Sequence, residues 1–134
     1  MKTILVTLLA LAFTATAASA ACNGADPSIA SVAVSNVTST GGLNHYHVRG
    51  TVTNIGSQAQ PSNTLQFVNI YENGQKLDDK GIPPLAPGQS YQFEYVSDRS
   101  VQAGVGSSKL VFRLDVEQPA SAECGPAAPY DVSF

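Results

Sequence analysis

Apolar and polar residues alternate with a period of two along much of the chain. Tyr46, Val48, Gly50 and Val52 alternate with His45, His47, Arg49, Thr51 and Thr53. Tyr91, Phe93 and Tyr95 alternate with Gln92 and Glu94, and Leu110, Phe112, Leu114 and Val116 with Val111, Arg113, Asp115 and Glu117. Successive side chains of a strand point to opposite faces, so each run predicts a strand with one buried and one wet face. Residues 29–35 alternate more loosely, because Ile29, Val32 and Val34 do not share one phase. Residues 66–71 carry apolar side chains on both faces, the pattern of a central strand covered on both sides. No stretch has sustained helical spacing.

Turn chemistry divides these runs. Asn73-Gly74 suits the two positive-φ positions of a type I′ hairpin turn after residues 66–71. Pro83-Pro84 and Pro87-Gly88 mark a loop where backbone donors are missing, and Gly104-Val105-Gly106 breaks the chain again. The pattern predicts an all-β chain: a single immunoglobulin-like antiparallel β-sandwich of about seven strands. An OB-type barrel is the alternative, with fewer and longer strands. Val48, Val52, Val68, Ile70, Phe93, Phe112 and Leu114 are the expected core. Tyr91 and Tyr95 share the phase of Phe93 and are expected in the core too, not on a sugar-stacking platform. The chain has no Trp, which weakens a sugar-binding reading further.

Three segments then carry a resemblance. Gly50-Thr51-Val52-Thr53-Asn54-Ile55-Gly56, Val68-Asn69-Ile70-Tyr71-Glu72-Asn73-Gly74 and Pro84-Leu85-Ala86-Pro87-Gly88-Gln89-Ser90 occur in this order. This is similar to the CARDB family, the cell-adhesion-related domain found in bacteria, over about residues 29–117. The resemblance implies a seven-stranded immunoglobulin-like sandwich, usually a module of larger extracellular proteins. Asp115 resembles the acidic residue that ends the family's last long strand, whereas residues 119–134 depart from the family's tail. The motifs are turn chemistry. Ile55 is expected to tuck beneath the sandwich, and Leu85 to plug the same end between prolines.

Residues 1–20 read as a cleaved signal peptide: Lys2, an apolar run from Ile4 to Phe13, and Ala18-Ser19-Ala20 before the expected cleavage. Residues 21–134 then form the single domain, with no second long apolar run and so no transmembrane segment. The full chain has seven Lys and Arg against ten Asp and Glu, and loss of Lys2 leaves a net charge of −4. Such a surface is not built to grip a phosphate backbone, so no nucleic-acid partner is expected. Cys22 and Cys124 are an even pair in an exported chain, which predicts a disulfide. The competing reading makes Cys22 a lipid-anchored residue, although Ser19 stands where a lipobox normally has Leu. The protein is expected to be secreted or periplasmic.

Candidate chemistry is sparse. His45 and His47 alternate on one strand face, about 7 Å apart, which suits two metal ligands on a sheet. Asp115 or Glu117 would supply the third ligand from a neighbouring strand. The favoured reading is that both histidines are ordinary polar residues on a wet face beside Arg49. No Gly-x-Ser-x-Gly elbow is present, and Asp78-Asp79 are adjacent and so point apart. Residues 104–108 form a glycine loop with no helix after it, read as a turn. Asn36-Val37-Thr38 is a glycosylation sequon that matters only in a eukaryotic host. Tyr130, Val132 and Phe134 alternate as an edge strand of the sandwich rather than an outer-membrane barrel strand. No enzyme activity and no cofactor are expected.

The reading that results is a secreted, non-enzymatic interaction module that binds an extracellular protein or surface polymer. The alternative is a structural or assembly component that pairs through a sheet edge. Pro126 and Pro129 guard the last strand and favour the first reading.

Overall fold

Seven strands build two antiparallel sheets in the computed structural model, which describes residues 23–103, 108–119 and 124–134. They are β1 (Pro27–Thr40), β2 (Leu43–Asn54), β3 (Leu65–Glu72), β4 (Gln75–Ile82), β5 (Ser90–Ser100), β6 (Lys109–Gln118) and β7 (Tyr130–Ser133). One sheet has the order β1-β2-β5 and the other β4-β3-β6-β7. No described residue is helical, and the fold is an immunoglobulin-like β-sandwich. The expected signal peptide over residues 1–20, Cys22 and the glycine loop at residues 104–107 lie outside the described residues.

Asn73 and Gly74 have φ of 50° and 78°. This tight hairpin lays β4 against β3 and makes β4 an edge of the four-stranded sheet. β1 explains its loose alternation by two register shifts, between Ile29 and Ser31 and between Val34 and Asn36. Each shift moves the phase by one residue, so Ile29, Val32 and Val34 face the core together, opposite Val52, Gly50 and Val48.

All seven expected core residues are buried, joined by Ile82, Leu85, Leu110 and Phe134. Phe93 of one sheet meets Phe112 of the other with ring centroids 5.9 Å apart. Gly50 sits under the Phe93 ring, and a Cβ there would lie 2.1 Å from it. A glycine in the inward phase of β2 is therefore the space that the aromatic pair fills. The last strand is an edge strand, as its alternation predicts.

Three expectations need correction. Ile55 is 65% exposed rather than tucked beneath the sandwich, because the Asn54 side chain occupies that end. Tyr91 keeps the inward phase but is exposed near the start of the edge strand β5, and Tyr95 is only half-buried. β3 is central in its sheet, yet its outer face is not covered by a second layer, since Phe67 and Tyr71 stay half-exposed.

Candidate functional site

Two of the three segments that carry the family resemblance, residues 50–56 and 84–90, meet at one end of the sandwich. Asn54 is fully buried. Its Oδ1 accepts from the backbone N–H groups of Asp26 (2.9 Å) and Gly56 (3.0 Å). Its Nδ2 donates to the carbonyls of Gln58 (2.8 Å) and Leu85 (3.0 Å). Gly56 has no side chain because a Cβ would lie 2.1 Å from the Gly24 carbonyl oxygen. Gln60 and Gln66 exchange two amide hydrogen bonds of 2.9 and 2.8 Å, and Gln60 Oε1 also accepts from the Leu85 N–H. These loop polar groups are thus satisfied in the absence of a ladder.

The two histidines project from the outer face of the three-stranded sheet. His45 Nδ1 lies 2.5 Å from Asp98 Oδ1, and His47 Nε2 lies 3.3 Å from Thr38 Oγ1. The neighbours of β2 are β1 and β5, whereas Asp115 and Glu117 stand on β6 in the other sheet. The structure therefore does not bring the expected third ligand to this strand pair. Among the described residues, no three His, Cys, Asp or Glu side chains gather into a metal-binding group. Across the same face, Arg49 pairs with Glu94 at 2.6 Å. Such exposed pairs contribute about 0–1 kcal/mol each.

The outer face of the four-stranded sheet is different in kind. Val68 and Ile70 turn into the core, so Phe67, Asn69 and Tyr71 project the other way. The register sets Phe67 between Gly81 and Asp115, Asn69 between Asp79 and Arg113, and Tyr71 between Lys76 and Val111. The Arg113 guanidinium lies 5.7 Å from the centre of the Tyr71 ring. Asn69 Nδ2 donates to Asp115 Oδ2 at 2.6 Å, while its Oδ1 is buried with no partner. Leaving such an acceptor unpaired costs on the order of 1–3 kcal/mol. Asp115 also lines a cleft with Pro27, Val116, Pro126 and Ala127. On the adjoining β4, a hydrogen bond from Lys80 holds the Asp78 carboxyl below the usual carboxylate range. A hydrogen bond to Asp79 holds the Lys76 ammonium above its ordinary value.

This is an all-β sandwich with one sheet face that combines two open aromatic rings, a guanidinium, a carboxylate and an unpaired amide acceptor. No family model, curated protein or solved structure matches the chain. The sequence pattern held two signals that the alternation alone does not use. Gln66 shares the buried phase of Val68 and Ile70, and Asn69 shares the phase of Phe67 and Tyr71. Gln66 belongs to the buried network with Gln60, and Asn69 stands on the outer face.

Proposed function

We propose that this chain is an exported interaction module, not an enzyme, of the CARDB kind. Its outer four-stranded face binds an extracellular partner, a protein or a surface polymer. The observation that carries the reading is Asn69, whose buried acceptor stands unpaired between Phe67 and Tyr71. Open aromatic side chains beside a polar group that lacks a partner suit a surface that gains contacts when a ligand arrives. Asp115 and Arg113 add charges of both signs at its border.

Retention of cell-surface extract on the immobilised secreted form, with and without prior protease digestion, tests this and separates protein from polymer. Phe67→Ala with Tyr71→Ala is expected to weaken retention about tenfold or more, as aromatic anchors do. Asn69→Val is expected to weaken it too, with a melting temperature held or raised, because the unpaired acceptor is gone. Retention unchanged in both variants overturns the reading.

The same proposal includes export by the signal peptide and a bridge between Cys22 and Cys124. Cys124 is not a free thiol and precedes β7, which supports the bridge. Reduction is expected to lower stability by about 2–4 kcal/mol in chemical denaturation. Alkylation of Cys124 alone before reduction would exclude the bridge and favour a lipid anchor on Cys22, whereas alkylation of both thiols would exclude both.

A further inference from the structure

Among the described residues, four strands edge the two sheets: β1 and β5 in one, β4 and β7 in the other. An edge strand offers unpaired N–H and C=O groups to any passing strand, and charged side chains, proline, bulges or shortness guard against this. β4 carries Lys76, Asp78, Asp79 and Lys80, joined as the pairs Lys76–Asp79 and Lys80–Asp78 at 2.9 and 3.1 Å. β5 carries Glu94, Asp98 and Arg99. β7 has four residues, follows Pro126 and Pro129, and bears Asp131, which pairs with Lys109 at 2.9 Å.

β1 lacks most of these guards. It is 14 residues long, holds no Asp, Glu, Lys or Arg, and has its one proline at the first position. Its outward side chains, Ser31, Ala33, Asn36 and Thr38, are small and neutral, opposite Thr51, Arg49, His47 and His45. Its register shifts are its remaining irregularity, and four residues from Ser31 to Val34 run regularly between them. Val37 faces the core side, opposite Tyr46, yet is 45% exposed.

We propose that the free edge of β1 pairs antiparallel with β1 of a second copy of this chain. The two three-stranded sheets would then join into one six-stranded sheet across a two-fold axis. Charge selects this occupant. In a two-fold pairing each residue on one strand meets the same strand's sequence read backwards, so charges on it easily meet their like. A strand with no charge escapes that repulsion in every register. β4 and β5 place charges along their edges and do not. The added strand also lies beside Val37 and narrows its exposure to water. This edge belongs to the sheet opposite Phe67 and Tyr71, so the inference is independent of the proposed ligand face.

Sedimentation of the secreted form across micromolar concentrations tests it, with hydrogen exchange of the β1 amides read at each concentration. The expected result is a dimer whose formation slows exchange in β1. Ala33→Lys and Ala33→Glu are each expected to weaken association about tenfold or more through like charges at the joint. Both keep the parent's circular dichroism, and mixing them restores the dimer, which a folding defect would not allow. A protein that stays monomeric, or a dimer untouched by either substitution, overturns the proposal. So does slowed exchange confined to another strand.

Discussion

Replacing Asn54 with alanine is expected to lower stability by about 3–5 kcal/mol, read as an earlier midpoint in chemical denaturation. Four hydrogen bonds leave with the amide: two received from the N–H groups of Asp26 and Gly56, two given to the carbonyls of Gln58 and Leu85. A net bond contributes about 1 kcal/mol, and a buried group left without a partner costs more. Water entering the gap recovers part of this, which sets the upper figure. The nearly isosteric Asn54→Asp separates donor from acceptor roles. It keeps the acceptor facing Asp26 and Gly56 but aims a carboxylate oxygen at two carbonyls. Burial and those carbonyls would raise the folded-state pKa above the unfolded value of about 3.9. Stability of that variant is then greatest below the unfolded pKa and falls as pH rises through the interval up to the folded pKa. The expected measurement is a higher melting temperature near pH 4 than near pH 7, relative to the parent at each pH. Equal losses at both would show that the end of the sandwich admits solvent.

Phe112→Ala is expected to cost about 3–5 kcal/mol by a different route, loss of burial plus a cavity. Phe112 is fully buried on β6 and faces Phe93, whose ring is seated over Gly50. Removing the Phe112 ring leaves Phe93 with no aromatic partner across the sheets, and the strand backbones limit how far the gap can close. Against a typical total stability of about 5–15 kcal/mol, the loss takes from about a fifth to nearly all of the margin, and melting temperature and export yield fall accordingly. Thermal melting and yield report this. A variant that melts within a few degrees of the parent would place Phe112 outside the load of the core.

The two cases differ in how visible they are along the chain. Phe112 sits in an unbroken alternation with Leu110 and Leu114, and that alternation reports its burial directly. Asn54 sits in a turn motif whose residue types announce a bend but not its partners. Gly56 and Gln58 lie in the same turn, but Asp26 and Leu85 come from distant segments that no local pattern links to it. Ile55 shows the limit plainly. An apolar residue in a turn reads as buried, yet the site beneath is filled by the side chain next to it. The aromatic runs show another limit: Tyr91 and Phe93 share a phase, but Tyr91 lies near the end of an edge strand and stays open.

By itself the sequence determined the fold class, the strand positions, the Asn73-Gly74 hairpin and the inward set from Val48 to Leu114. The physical reason is that a period of two and positive-φ turn residues are local properties, legible without knowing which strand lies beside which. Tertiary structure alone decided the rest. It placed His45 and His47 on one sheet and Asp115 on the other, because strand order follows from pairing between distant segments. It brought Phe67, Asn69, Tyr71, Arg113 and Asp115 onto one face through the register of β3 with β6. It also made β1 an edge, which no reading of residues 27–40 in isolation can tell from a central strand of the same composition.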